Sequence, residues 1–403
     1  MKILIVTPIY LPEQAPISFL LGETAAGLAL KGHTVEVVTG IPSWLVDHNE
    51  GDFVSDFHVT ELHGSKVYRL PYKKNKWNGL LSKLFGYFNF RFLLWRYKSK
   101  ITKPDIIYGV IPSNETGMAI RMLARYFGCG YILNVQDIHP DAFFNLGLIK
   151  NSILKTALRN QERRMYRNAS HITVIGDSFK TNLLGKGISV PIKVIPNWIN
   201  PVDYELNSDG GLSAEWGINS SKFVILYSGT FGRIHGTSVI LEAAEALMDM
   251  EDVLFLLVGH GVDFEKMRFQ ASERGLGNVV MKEYVPRERL AELQALSTVS
   301  LVTLLPKMGY SSIPSKILGY MAAGRPVIAL TEKNSDTGKL VEQAKCGMVL
   351  PPGDASSLIS TIKELLSKRG ILADLGVNGR SYLKNYLDKE VLIDQIEDVL
   401  KRS

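Results

Sequence analysis

Short apolar runs separated by amphipathic stretches set the strongest limit on what this chain can fold into. In the first half the runs are KILIVT, TVEVVT, DIIYGV, YILNV, HITVI and IKVI. Helical patterns lie between several of them, as over residues 17–31 and 151–167. Continuous apolar strands alternating with helices indicate βαβ units, whose parallel sheet is covered on both faces. The pattern restarts after a polar gap, NSDGGLSAEWGINSSK, with FVILY, VLFLLV, VSLVTL, PVIAL and GMVL. The chain therefore reads as two doubly wound α/β domains with a boundary at residues 196–221. Its 403 residues are too many for one ordinary core and natural for two. Ligands of such sheets sit beyond the carboxyl ends of the strands, so two sheets facing each other are expected to make a cleft. The last stretch, LDKEVLIDQIEDVLKRS, reads as an amphipathic terminal helix.

Composition narrows the class. With 46% hydrophobic and 21% charged residues, the chain is expected to be globular rather than disordered. Its two cysteines, Cys129 and Cys346, lie too far apart for a disulfide framework or zinc spacing, which fits a reducing compartment. The opening MKILIVTPIYLPEQ has only a short apolar run and no cleavage pattern, so it reads as a first strand rather than an export signal. No uncharged apolar stretch reaches the length of a membrane span.

The net charge of +6 is unevenly placed. Residues 1–200 hold 24 Lys and Arg against 14 Asp and Glu, while residues 201–403 hold 22 against 26. Between Glu61 and Asp105 lie 11 cations and no acid. Inside that run, the segment from Trp77 to Lys100 interleaves Trp77, Phe85, Phe88, Phe92 and Trp95 with spaced cations. Such a mixture suits a helix dipping into the anionic surface of a bilayer. A helix packed on its own domain with a solvated basic face has a similar composition, and nucleic acid is a third reading. The interleaved aromatics favour the membrane surface, and no nucleic-acid partner is expected.

Strand one leads into PIYLPEQAPIS, which lacks the G-x-G-x-x-G of dinucleotide-binding folds and weakens a dehydrogenase reading. Its prolines fix an extended loop suited to covering an acceptor or a donor phosphate at the cleft, with Ile17 and Ser18 on the acceptor side and Ser18 a candidate cap of the next helix. A purely structural loop fits equally well. FVILYSG continues into TFGRIHGTSVILEAAEAL. There Gly229 and Gly232 let the backbone approach a ligand, Arg233 and His235 can reach phosphate oxygens, and Thr237 or Ser238 caps the next helix. LFLLVGHGVDFEKM repeats the device with Gly259 and Gly261. MKEYVPRERLAEL follows, with Tyr284 and Val285 ahead of Pro286 at a helix start. The fourth turn is SSIPSKILGYMAAGRPVIAL. Pro314 suits a first helical turn because it has no N–H to donate. Ser315 and the free amides face outward, Lys316 adds a point charge, and Gly324 ends the helix. Each turn alone is common in structural loops; several aimed at one rim point to an anion.

In the first half, YILNVQDIHPDAFFNLG ends a buried strand on Gln136, Asp137, Ile138, His139, Pro140 and Asp141. Polar groups at a strand's carboxyl end are placed for function, which makes Asp137 and His139 the candidates for the reacting centre. A structural histidine is the alternative. No Ser-His-Asp order or metal-ligand spacing stands out, so no catalytic metal is expected.

Taken in order, MKILIVTPIYLPE with LALKGHTVEVVTG, VQDIHPDAFFNLG, VIPNWIN, YSGTFGRIHG, VGHG and PSKILGYMAAGRPVIA make the chain resemble the family 4 glycosyltransferases over nearly its whole length. These are retaining enzymes of the GT-B fold. The chain is similar in particular to bacterial members that build O-antigen, capsule and colanic-acid sugars, including N-acetylfucosamine transferases. The resemblance implies two Rossmann-like domains facing across a cleft. Residues 1–198 would bind the acceptor and residues 199–385 the nucleotide sugar. Residues 386–403 would return as a helix to the first domain. It further implies a UDP-linked donor held around Gly229, Arg233, His235, Gly259, Gly261, Tyr284, Val285, Pro314, Ser315 and Lys316. A lipid-linked or saccharide acceptor, no metal or other cofactor, and a cytoplasmic enzyme peripheral on the inner face of the membrane complete the expectation.

Two departures matter. The family commonly has two acids eight positions apart in the last motif, and aligned from Gly324 they fall on Ser311 and Gly319. The usual Arg and Lys of the first loop in the second domain align with Thr230 and His235, leaving Arg233 or Lys316 to supply the charge. Retention in the family is explained by front-face attack, with the leaving phosphate taking the acceptor proton. Asp137 and His139 would then orient acceptor or sugar rather than attack. Two rivals stand beside this reading. An epimerase or hydrolase of the same fold would process donor alone, which the basic aromatic segment argues against. A non-catalytic partner that binds a nucleotide sugar or a membrane is favoured by the absent acids.

Overall fold

The computed structural model describes residues 1–13, 15–40, 56–71, 79–138, 140, 141, 144, 149, 151–204, 211–232 and 234–403. The chain divides into two compact units, Met1–Asn197 with Glu390–Ser403, and Trp198–Lys389. His139 and Arg233 lie outside the described residues, as does Trp77.

The first unit is built on β1 (Lys2–Thr7), β2 (Thr34–Thr39), β3 (His58–Leu62), β4 (Ser65–Arg69), β5 (Ile106–Ile111), β6 (Gly130–Val135), β7 (His171–Val174) and β8 (Ile192–Val194). Their order is β3-β4-β2-β1-β5-β6-β7-β8, and only the β3 and β4 pair is antiparallel. Each apolar run expected in this half is a strand. β5 is buried at every position, which is why its sequence shows no alternation. The β3 and β4 hairpin was not expected. Its first strand, HVTEL, alternates half-buried and exposed positions at the sheet edge and so carries no apolar run. Lys66 and Arg69 of the acid-free run therefore belong to a strand rather than to the aromatic helix, which spans Gly79–Tyr97.

Ser18 does not cap the first helix. Pro16 takes its first position, so the helix Pro16–Leu30 begins earlier, with Ala15 before it and Ser18 buried inside. The terminal helix Lys389–Lys401 belongs to this unit and packs Ile393 against Gly27. A Cβ at Gly27 would stand 2.7 Å from Ile393 Cδ1. Lys31 pairs with Asp394, and His33 meets Glu397 at 2.8 Å.

The second unit carries β9 (Phe223–Thr230), β10 (Val253–His260), β11 (Val279–Lys282), β12 (Val299–Thr303), β13 (Val327–Leu330) and β14 (Gly347–Leu350). Their order is β11-β10-β9-β12-β13-β14, parallel throughout. β11 escaped the sequence reading because it is a short, half-buried edge strand. Phe223, Ile225, Tyr227, Leu257, Leu301 and Ile328 form the middle of the core under helices Ser238–Ala246 and Ala355–Ser367.

Candidate functional site

β9 and β10 run side by side to their carboxyl ends, where Gly229 is opposite Gly259. The backbones meet there so closely that a Cβ on Gly259 would lie 1.8 Å from the Gly229 carbonyl oxygen. Gly259 has φ +153°, and a side chain is excluded on both counts. Gly261 likewise faces the Phe231 backbone. These two glycines are thus explained by loop packing, and the expectation that they admit a ligand is not needed for them. Gly229 differs. A Cβ there would stand 3.0 Å from Lys316 Nζ, so its missing side chain makes room for the ammonium.

Lys316 opens the helix Lys316–Ala322, and Gly324, at φ +65°, follows its end as expected. The stem of Lys316 is partly exposed, but Nζ is enclosed and has no hydrogen-bond partner. The ammonium sits 3.4 Å from the centre of the Tyr227 ring. A cation over an aromatic face gains some attraction, though less than a carboxylate would give. Burial holds the pKa of Lys316 well below the usual lysine value. His235 lies beside it. Burial first, then the charge of Lys316, pushes the imidazole down to about 3. That shift favours the neutral imidazole, and its Nδ1 is buried without a partner. Thr237 precedes the helix Ser238–Ala246 but makes no side-chain cap bond.

Around this corner, Tyr227 donates to the Thr230 carbonyl at 2.8 Å, and Thr230 Oγ1 meets the Tyr284 hydroxyl at 3.2 Å. Tyr284 also packs edge-on against His260 at 4.5 Å, with Val285 half-buried behind it. Pro314 is buried and Ser315 exposed before the helix. The two positions of the absent acids are filled differently. Ser311 Oγ donates to the Met308 carbonyl at 3.3 Å. Gly319 faces the Tyr204 hydroxyl, 3.5 Å from where its Cβ would be. Sequence reading missed Glu332. It follows the carboxyl end of β13, its Oε1 accepts from the Lys307 amide, and its Oε2 is buried without a partner. Position after a strand was the available signal.

In the first unit, β6 delivers Gln136 and Asp137. Gln136 donates to Asn134 at 2.6 Å and accepts from Asn197 at 2.8 Å, which fixes the strand exit. Burial pushes the Asp137 carboxyl up to about 7. The phenol of Tyr87, on the aromatic helix, is raised by burial and then by the charge of Asp137. Asp141 is anchored elsewhere: Lys186 bridges it at 2.9 Å to Glu162 at 2.6 Å, and Asn182 donates to it at 3.0 Å. Ile17 is half-buried, and Ser18 Oγ is buried without a partner. Among the described residues no three His, Cys, Asp or Glu side chains gather to hold a metal.

The aromatic helix presents Phe88, Phe92 and Trp95, 55%, 54% and 53% exposed, while Phe90 and Leu94 on its other side are buried. Lys98 Nζ lies 4.7 Å from the Trp95 ring and 5.2 Å from that of Tyr126. The helix packs on Asn114–Phe127, which packs on Ser152–Arg167. That third helix exposes Ile153, Leu154, Arg159, Arg163, Arg164 and Arg167. Among the described residues no helix is long and apolar enough to cross a membrane.

Comparison with known proteins agrees with this architecture. Residues 211–382 match the family model of glycosyl transferases group 1, and residues 20–198 match the glycosyl transferase 4-like domain. The putative colanic acid biosynthesis glycosyl transferase WcaI of Escherichia coli K12 is 28% identical over 99% of this chain and 100% of its own length. Among solved structures, sucrose-phosphate synthase from Thermosynechococcus elongatus superposes with TM-score 0.77 at 17% identity, covering 100% of this chain and 98% of that one. Anabaena Alr3699/HepE in complex with UDP-glucose gives 0.72 at 19% identity, with 100% of both chains covered.

Proposed function

The chain belongs to the GT-B glycosyltransferases of the family 4 type, and from that premise we propose a retaining transferase of surface-polysaccharide synthesis. It takes a sugar from a uridine-diphosphate donor on the second unit and gives it to a lipid-linked saccharide held by the first. The colanic-acid relative and the UDP-glucose complex of a structural neighbour support this choice. The observation that carries it is Lys316, whose enclosed amino group has no acid beside it among the described residues, at the carboxyl rim of a parallel sheet. A diphosphate is the chemistry that would balance it. As the sugar departs, negative charge grows on the diphosphate, and Lys316, protonated once the donor is bound, stabilises that charge from a fixed position. Tyr284 and Thr230 present hydroxyls at the same rim. Glu332 supplies a carboxylate oxygen for a sugar or ribose hydroxyl, a role left open at Ser311 and Gly319. Asp137 orients the acceptor hydroxyl, whose proton passes to the leaving phosphate.

The test is a panel of nucleotide sugars offered with a polyprenyl-diphosphate-linked sugar, the product anomer being read by NMR. An α-linked product from an α-linked donor is expected. Free sugar or epimer from donor alone would identify a hydrolase or epimerase instead, and tight donor binding without turnover a binding partner.

Activity is expected to survive EDTA, because cations and dipoles can neutralise the diphosphate in place of a metal. Loss of turnover that magnesium or manganese restores would refute metal independence.

Membrane attachment follows from Phe88, Phe92 and Trp95 among cations on the first unit. Each cation near an anionic surface contributes about 1 kcal/mol, so the exposed arginines of Ser152–Arg167 add to the aromatic helix. The protein should float with anionic vesicles, less so at high salt, and the Phe92→Ser, Trp95→Ser double variant should float weakly. Equal flotation on neutral vesicles, or none on either, would exclude this docking mode.

A further inference from the structure

Arg325 is a second cation of the second unit with an enclosed nitrogen, though the residue is half-buried, and the donor rim does not account for it. It follows Gly324 at the amino end of β13, the opposite edge of the sheet from Lys316. Its Nη2 donates to the Ala295 carbonyl at 2.8 Å and so closes the helix Leu290–Ala295. Its Nε is buried without a partner. Burial alone lowers its pKa, so no carboxylate among the described residues balances it. An uncompensated buried charge is costly unless something pairs with it.

Arg325 borders a pocket of about 490 Å³ at the amino ends of β9, β12 and β13. Lys222 and Arg369 also line it, Ser213 and Ser220 add hydroxyls, and among the described residues no acidic side chain lines it. Lys222 Nζ is steadied by the Glu251 carbonyl, and the Arg369 guanidinium lies 5.7 Å from the Phe223 ring. The volume falls within the usual range for small-molecule sites. Three cations and several hydroxyls beside an apolar wall that includes Ile218, Val224, Leu296 and Leu372 suit a small guest with an oxyanion group, since the guanidinium fork matches phosphate geometry.

We infer that this pocket is a phosphate-binding site separate from the donor rim, fitted to a small phosphorylated metabolite. It goes beyond the proposed transferase reaction and does not depend on it. The helix Lys316–Ala322 begins at the donor-rim lysine and ends just before Arg325, so one short rigid element has a cation at each end.

The whole protein should be titrated by calorimetry with inorganic phosphate and, separately, with glucose 1-phosphate, each with and without saturating UDP. Binding should persist when UDP is present and in Lys316→Met. Tighter binding of glucose 1-phosphate would mark a phosphorylated sugar, and equal binding the phosphoryl group alone; both support the site. Arg325→Gln should weaken it roughly ten- to hundred-fold, the loss of a charge-assisted contact. Because Arg325 also clamps a helix, Arg369→Gln is the second variant. Arg369 is exposed and its replacement should leave the circular dichroism native while weakening phosphate several-fold. No binding at millimolar phosphate, binding abolished by UDP or by Lys316→Met, or binding untouched by Arg369→Gln in the folded protein would overturn the assignment.

Discussion

Lys316→Met is expected to stabilise the free protein and, at the same time, to weaken donor binding roughly ten- to hundred-fold. The two effects share one cause. Nζ is enclosed against Tyr227 and Gly229 and makes no hydrogen bond. An unsatisfied buried donor costs on the order of 1–3 kcal/mol, more when charged, and methionine fills the same volume without that cost. Sign follows from linkage. The folded pKa is below the unfolded lysine value, so between the two the unfolded chain binds more protons and stability rises with pH. That slope should vanish in the variant. A diphosphate reverses the balance by favouring the ammonium, so donor binding should take up a proton, visible as heats that depend on the buffer. Donor affinity should fall as pH rises through the pKa of the bound state. Lys316→Arg should rescue poorly, because even a single Cβ added at Gly229 would stand 3.0 Å from Nζ, so there is little space for a guanidinium. A variant that is less stable than wild type and binds UDP unchanged would remove Lys316 from the donor site.

How legible this was in sequence depended on what each residue had to oppose. Apolar runs such as VLFLLV announced their strands because both faces of a parallel sheet are covered. HVTEL did not, because it alternates half-buried and exposed positions at the sheet edge, and VVMK is a short half-buried edge strand that drew no notice. The turn at PSK drew notice through a proline and a lysine in one helical turn. Its decisive property, an amino group over Tyr227 with no acid near among the described residues, needed neighbours that are distant in sequence. His235 shows the same limit: the downward shift of its imidazole comes from burial and from Lys316, neither of which its place after glycines announces. The close approach of the Gly259 and Gly229 backbones was likewise not visible in sequence. Asp141 and Asp137, four residues apart, looked alike in sequence. Lys186 and Asn182 pair with the first, and burial isolates the second.

Asp137→Asn is the matching experiment on the first unit. Gln136 is locked between Asn134 and Asn197, so the residue after it is held at the end of β6 with little freedom to turn away. Burial raises its carboxyl to about 7, which leaves both protonation states populated near neutral pH. If the carboxylate accepts a hydrogen bond from the acceptor hydroxyl, kcat/KM for the acceptor should rise as pH passes through about 7. The asparagine variant should lose roughly ten- to hundred-fold in that parameter, the value of a charge-assisted contact, and its acid limb should flatten. UDP affinity should stay unchanged, which separates this site from Lys316. Stability supplies an independent sign. A folded pKa above the unfolded 3.8 means that the native state binds more protons in between, so the contribution of Asp137 is lost as pH rises toward and through 7. Asp137→Asn stays neutral, so its stability relative to wild type should grow between pH 4 and pH 8. A wild-type rate that instead falls above pH 7 would make the protonated carboxyl the working form, a donor to the sugar or acceptor. Unchanged acceptor kinetics in a variant that still shows the stability shift would confine Asp137 to the architecture of the strand exit.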